Sequence, residues 1–187
     1  MMNKKGQTLL EVMLAIGIMT FGIISIISLS ITSSVMARRT SKELIATQLA
    51  REGIEVVHNK RDSNWLAIED GVALAKWYDN IYNVSDSTAV PVFNPVVPGG
   101  GWSIIFSPTV ATKICLNPDK VYIQKINNNP CLTGYLETPY RRLLTFTQIL
   151  DGADFVGLKV KSEVIWDDGG NSYSKILEEN IYDWKAR

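Results

Sequence analysis

One uncharged apolar run near the start of the chain restricts the possible folds more than any other feature. No charged side chain occurs between Val12 and Ala37, and the stretch from Val12 to Ile31 is almost wholly aliphatic. About 20 consecutive apolar residues allow a helix to cross the hydrocarbon of a bilayer. The apolar part of a removable signal peptide is shorter, at about 7–15 residues. The run therefore predicts a retained transmembrane helix over about residues 12–36.

The charges on either side of this run predict its orientation. Lys4 and Lys5 precede it, and Arg38 and Arg39 follow it. Because no acid precedes Glu11, the positive-inside rule predicts a cytoplasmic N-terminus and an exported remainder. Glu11 lies about one turn inside the apolar run, where an ionised carboxylate is costly without a partner. Two interpretations are open: Glu11 lies at headgroup level, where it suits the N-terminal end of a helix, or it is held there for a positive partner.

The segment around Glu11 has a recognisable pattern. The string Lys4-Lys5-Gly6-Gln7-Thr8-Leu9-Leu10-Glu11-Val12 resembles the class III signal of type IV pilins and type II secretion pseudopilins. The resemblance implies cleavage between Gly6 and Gln7 by a prepilin peptidase, N-methylation of Gln7, and an assembly role for Glu11, whose carboxylate would meet the terminal ammonium of a neighbouring subunit. The partners that it implies are other pilin subunits, the inner-membrane assembly platform and membrane lipid. The family's commonest first mature residue is phenylalanine, where this chain has Gln7.

The helix is predicted to continue beyond the apolar run. Apolar residues recur there at three- and four-residue spacing among charged ones, which indicates an amphipathic helix to about Lys60. Turn-forming residues in Arg61–Trp65 are predicted to end it. The stretch Ala50–Glu55, followed by Arg61 and Asp62, is similar to V-type minor pilins. The predicted domains are a leader at 1–6, a long helix at 7–60 and an extracytoplasmic head at 61–187.

The second half of the chain predicts a sheet. Apolar residues alternate with a period of two in the segments 102–106, 121–126, 141–149, 155–166 and 173–184. Asp167–Asn171 contains a Gly-Gly hairpin signal. The prolines and glycines of Trp65–Gly101 predict a loop region. The predicted fold class is α+β, with a long N-terminal helix packed on an antiparallel β-sheet head that forms a meander.

The cysteines predict a disulfide. Cys115 and Cys131 are the only cysteines, and two cysteines in an exported domain usually pair. Closing this loop would stabilise the chain by about 3 kcal/mol in the chain-entropy model. His58 is the only histidine, so we expect no metal or cofactor, and we expect His58 to be a plain surface residue. Asn83-Val84-Ser85 matches a glycosylation acceptor, a motif that is frequent by chance.

Composition and motifs narrow the functional classes. Basic and acidic residues number 19 each, so no net charge favours nucleic-acid binding. No phosphate loop, nucleophile elbow or catalytic pair is recognisable, and we expect no enzyme. The leading hypothesis is a structural, minor subunit of a type IV pilus-like filament, first in the inner membrane and then in a pilus or pseudopilus. The alternatives are a membrane-anchored extracytoplasmic ligand-binding domain that does not polymerise, and a soluble protein cut after Val35-Met36-Ala37.

Overall fold

A single helix, α1 (Lys4–Glu69), begins the computed structural model, which describes residues 4–83, 85–94, 101–106, 112–125 and 130–183, with the backbone alone at 4–7 and 94. The strands are β1 (Thr88–Asn94), β2 (Gly101–Phe106), β3 (Thr112–Leu116), β4 (Tyr122–Gln124), β5 (Leu136–Asp151), β6 (Asp154–Asp168) and β7 (Asn171–Tyr182). All pairings between these strands are antiparallel, which confirms the α+β prediction. The chain divides into two compact units, Met1–Glu43 and Leu44–Arg187, and we call the second the head unit.

The predicted end of the helix at about Lys60 is wrong. The segment Arg61–Trp65 remains helical, and α1 ends at Glu69. Asn64 does not form a turn, because its side-chain amide donates hydrogen bonds of 3.0 and 2.7 Å to two carbonyls of the following loop. Trp65 packs against the core. These tertiary contacts override the local preference for a turn.

The observed helix end has a regular cap. Gly71 has a φ of 76°, the left-handed conformation that glycine adopts readily. The amide of Gly71 donates to the carbonyl of Ile68 at 3.1 Å, and the amide of Val72 donates to that of Ala67 at 3.0 Å. This pair of bonds is the Schellman motif, which satisfies carbonyls left free at the helix end.

The sheet is built around β5. Strand β6 pairs along one edge of β5, and β1 and β3 share the other edge. Strand β2 pairs with β1, and β4 pairs with β3. The predicted meander is therefore correct only for β5, β6 and β7. Strand β3 was not predicted, and β4 is shorter than the predicted segment 121–126, of which Ile126 lies outside the described residues.

Strand β1 lies where the sequence predicted only loop. Its proline, Pro91, is a residue type that favours a loop, but it pairs with Ile104 of β2. Among the described residues, strand β5 pairs with β1 only at Thr88 and Ala89. Pro91 thus lies at a part of β1 with one unpaired edge, where a missing N–H is tolerated.

The hairpin between β6 and β7 was predicted correctly. Gly169 and Gly170 have φ values of 60° and 84°, and Asp168 pairs with Asn171 around them. Two successive positive φ angles define the tight turn that matches strand twist. Strand β7 ends at Tyr182, so Asp183 lies outside the strand, contrary to the prediction, and Trp184, the predicted end, lies outside the described residues.

The core of the head unit lies between α1 and the sheet. The apolar residues of α1 that are buried there include Ala46, Leu49, Ala50 and Val57. Gly53 allows this close approach, because a Cβ at that position would lie 2.7 Å from Ser162 Oγ. A side chain at this position would force Ser162 or the helix to shift.

Cys115 and Cys131 form the predicted disulfide, with their Cα atoms 5.9 Å apart. Cys115 lies on β3, and Cys131 lies in the segment that leads to β5. The bond therefore links the β3–β4 hairpin to the chain entering the central strand.

Candidate functional site

The apolar segment of α1, Leu9–Met36, presents its large hydrophobic side chains outward. Their exposure ranges from 45% at Val35 to 74% at Phe21. By length and composition this helix could cross a membrane, and none of its most apolar window is buried within the chain. Monomeric soluble proteins rarely expose apolar patches above a few hundred Å². The segment therefore needs lipid or other protein around it.

Four hydroxyl groups of the apolar segment donate hydrogen bonds within the helix. Thr20 donates to the carbonyl of Gly17 at 2.8 Å, and Ser25 donates to that of Phe21 at 2.8 Å. Thr32 and Ser34 each donate to the carbonyl four residues earlier, at 2.9 Å. Such bonds remove the main cost of placing a hydroxyl in an apolar environment.

The residues of the predicted processing and assembly site lie together on α1. Gly6 and Gln7 have helical backbone, and Glu11 follows Gln7 by about one turn. The side chain of Glu11 is exposed. Among the side chains that the structure describes, no ion pair of Glu11 occurs. The two cysteines of the predicted site lie separately, in the head unit.

Sequence analysis missed a buried arginine in the head unit. Arg142 on β5 is 1% exposed. Its Nε donates to Gln124 Oε1 at 2.7 Å, and its Nη1 donates to the carbonyl of Leu49 at 2.6 Å and to Glu52 Oε2 at 2.9 Å. Burial lowers the pKa of Arg142, while Glu52 acts in the opposite direction. The guanidinium thus links α1 to the central strand and to β4.

The partners of Arg142 are themselves held in place. The side-chain amide of Gln124 donates to the carbonyl of Arg142 at 2.7 Å and to Thr112 Oγ1 at 2.9 Å. A period-two count along β5 could have found this site, because Arg142 falls on the same face as Tyr140 and Leu144. The network is structural, since it joins four elements (α1, β3, β4 and β5) and leaves the guanidinium almost inaccessible.

His58 is not the plain surface residue that we expected. Its Nε2 lies 2.9 Å from Glu179 Oε1, and its side chain is 28% exposed. The sequence could not show this contact because Glu179 is on β7, far along the chain.

A groove of about 590 Å³ opens on the surface of the head unit. Its lining includes Leu44, Ile45, Arg51, Val121 and Tyr122. Helix α1 forms one wall, and the β3–β4 hairpin forms the other. An apolar groove with a few charged groups at its edge is suited to binding an apolar ligand or protein segment.

Within the described ranges, no group of three or more His, Cys, Asp or Glu side chains could hold a metal ion. Comparisons of the chain with protein-family models, with curated proteins and with solved structures found no match.

Proposed function

We propose that this protein is a structural subunit of a type IV pilus-like filament, held in the inner membrane by the apolar part of α1 before assembly. The observation that carries the proposal is the exposed apolar segment Leu9–Met36. The pilin-like string from Lys4 to Val12 overlaps the start of this segment. Under this proposal the head unit lies outside the membrane, and the protein has a structural rather than a catalytic role.

The energetics of the apolar segment support a role in assembly. Each large aliphatic side chain left in water forfeits about 1.5–3 kcal/mol relative to burial, and this segment is exposed on all sides. Lipid can bury it before assembly, and sister helices can bury it in a filament. The internally bonded hydroxyls are compatible with both environments.

Glu11 supplies specificity in this proposal. A carboxylate in apolar surroundings is penalised unless it is paired. Cleavage after Gly6 would create an ammonium at Gln7, and the ammonium of a neighbouring subunit would then fix the position of one helix along the next. The proposed partners are other pilin subunits, the prepilin peptidase and the assembly platform.

The intact mass of the protein in membrane fractions tests the processing step. Loss of the first six residues, Met1–Gly6, supports a pilin-like subunit. An intact N-terminus in cells with an active prepilin peptidase would contradict it. Loss of residues 1–37 would instead indicate a soluble secreted protein.

A membrane-anchored ligand-binding domain that does not polymerise is the second candidate, and the groove beside Tyr122 favours it. Shearing cells separates the two candidates. A filament subunit appears in the sheared surface fraction, whereas an anchored receptor stays with the membranes.

A further inference from the structure

Two adjacent arginines follow the apolar segment of α1 on the side away from the N-terminus. Arg38 and Arg39 are helical, and both side chains are exposed. Neither forms an ion pair among the described side chains, although Glu43 lies about one turn beyond Arg39. They also oppose the predicted topology, because basic residues are normally in excess on the cytoplasmic side. Neither packing nor topology therefore accounts for this pair.

The arginines are also the groups of α1 best placed for the outer membrane interface. Trp and Tyr usually occupy that level of a membrane helix, but the first of either in the sequence is Trp65. Trp65 lies about 50 Å beyond Ile31 along the helix, too far to reach the interface. Between Thr32 and Thr40 the arginines are the only charged or aromatic residues. A guanidinium binds a phosphate through two parallel N–H donors, so this pair suits lipid phosphates.

The length of the helix places the arginines at the level of these phosphates. The aliphatic stretch from Val12 to Ile31 has 20 residues, or about 30 Å of helix, which matches the hydrocarbon thickness of a bilayer. Arg38 follows Ile31 by about 10 Å, and each headgroup layer is about 5–8 Å thick. The Cα–Cβ bonds of a helix lean toward its N-terminus, so long side chains at this position reach back toward the bilayer.

The same placement suits the acid at the other end of the apolar run. Arg38 follows Glu11 by 27 residues, which is about 40 Å of helix. A bilayer with its headgroups is about 40–45 Å thick. When the arginines lie at the outer phosphates, Glu11 therefore lies at the inner headgroups. One depth of the helix thus keeps the charges at both ends out of the hydrocarbon.

We propose that Arg38 and Arg39 bind the phosphate of an anionic phospholipid in the leaflet on the exported side, and that this contact fixes the depth of α1. The occupant is a lipid because the arginines directly continue a segment that is long and apolar enough to span a membrane. An anionic lipid fits better than a zwitterionic one, since its phosphate has no ammonium of its own to compete with the guanidinium. The inference rests on the membrane placement under the proposed function, and not on filament assembly.

The lipid preference of the full chain tests the contact. The protein is purified in detergent with equal amounts of phosphatidylglycerol and phosphatidylcholine, and native mass spectrometry counts the lipids that remain bound. The apolar segment contacts the acyl chains of both lipids alike, so the ratio of the two reports the headgroup contact. We expect a ratio that favours phosphatidylglycerol. The variant with Arg38→Gln and Arg39→Gln, here called the double glutamine variant, should lower this ratio about 30-fold, because each basic residue near an anionic surface contributes about fivefold.

The matched control is Arg51→Gln, an exposed arginine on the same helix that lies about 20 Å beyond Arg38. It should keep the ratio of the wild type. Replacing Arg38 and Arg39 with lysine should give an intermediate ratio, since an ammonium keeps the charge but not the paired donors. Equal ratios for the wild type and the double glutamine variant, or the same loss with Arg51→Gln, would overturn the proposal. Displacement of the bound phosphatidylglycerol by an equal concentration of inorganic phosphate would overturn the assignment to lipid.

The depth of the helix is measured with added cysteines, because both native cysteines are in the disulfide. A membrane-impermeant maleimide added from the exported side should label Ala37→Cys, and it should not label Ser28→Cys, which lies about 13 Å deeper. Adding the double glutamine substitutions should slow the labelling of Ala37→Cys, because the helix can then sink until its last apolar turn enters the hydrocarbon. Unchanged labelling would contradict the role of the arginines in fixing the depth. The thermal midpoint should be the same for all variants, since the substituted arginines are exposed.

The filament assay separates this inference from the proposed function. A chain that enters sheared filaments but shows no preference for phosphatidylglycerol contradicts the lipid contact and leaves the filament proposal standing. A chain that shows the preference but never enters filaments supports the lipid contact and contradicts the filament proposal. Loss of residues 1–37 from the mature protein would contradict both.

Discussion

Replacing Arg142 with methionine should destabilise the head unit far more than any change to an exposed arginine. The side chain of Arg142 is 2% exposed and donates to Gln124, Glu52 and the carbonyl of Leu49. Methionine fills a similar space but donates no hydrogen bond. The substitution therefore removes the link between α1 and the sheet without leaving a large cavity.

The magnitude follows from the acceptors that lose their donor. A buried acceptor left unsatisfied costs about 1–3 kcal/mol, and a hydrogen bond from a charged donor contributes about 1.5–3 kcal/mol. Gln124 is 2% exposed and has no access to water, whereas the side chain of Glu52 is 32% exposed and can be solvated. Removing a desolvated cation offsets part of the loss. We expect a net loss of about 2–4 kcal/mol, or a thermal midpoint lower by about 6–12 °C for a domain of this size.

The assay is guanidinium or thermal unfolding of the full chain in detergent, followed by tryptophan fluorescence. Arg141→Met is the matched control, because Arg141 is the adjacent arginine on the outer face and its side chain is 42% exposed. Its ion pair with Asp167 should contribute less than about 1 kcal/mol. Arg142→Lys should lie between the two, since an ammonium keeps the charge but not the planar arrangement of donors.

Comparable losses for Arg142→Met and Arg141→Met would refute this reasoning. Such a result would mean that the buried hydrogen bonds contribute no more than a solvated surface pair. A stabilised Arg142→Met would mean that the desolvation cost of the cation exceeds all that its hydrogen bonds contribute.

Three further predictions concern other parts of the chain. Glu11→Ala should insert normally but lose incorporation into sheared filaments, with Glu11→Gln intermediate; equal amounts of wild type and variants would show that the carboxylate has no assembly role. Gly53→Ala should lower the free energy of unfolding by about 1–3 kcal/mol, because the new Cβ would lie 2.7 Å from Ser162 Oγ; an unchanged denaturation midpoint would contradict this. Unreduced peptide mapping should show one Cys115–Cys131 crosslink, and replacing both cysteines with serine should cost about 3 kcal/mol; two freely alkylated thiols in the native protein would refute the disulfide.

Local patterns predicted the elements that depend on local physics. The Gly169-Gly170 turn requires two positive φ angles, and glycine adopts these regardless of its surroundings. The alternation along β6 placed Leu158, Val160 and Val164 on one face, and all three are buried. The predicted end of the helix at about Lys60 was wrong because Asn64 and Trp65 make their contacts with residues outside the helix.

The sequence by itself determined the apolar helix, the α+β class, the β6–β7 hairpin and the pair of cysteines, because each depends on composition, periodicity or an even count. Only the tertiary structure decided that β1 joins the sheet, that Arg142 is buried against α1, and that His58 meets Glu179. Those contacts bring together residues far apart in the chain, and no local preference encodes which of them meet. The groove belongs to the same group, because a surface exists only once the elements that border it have packed.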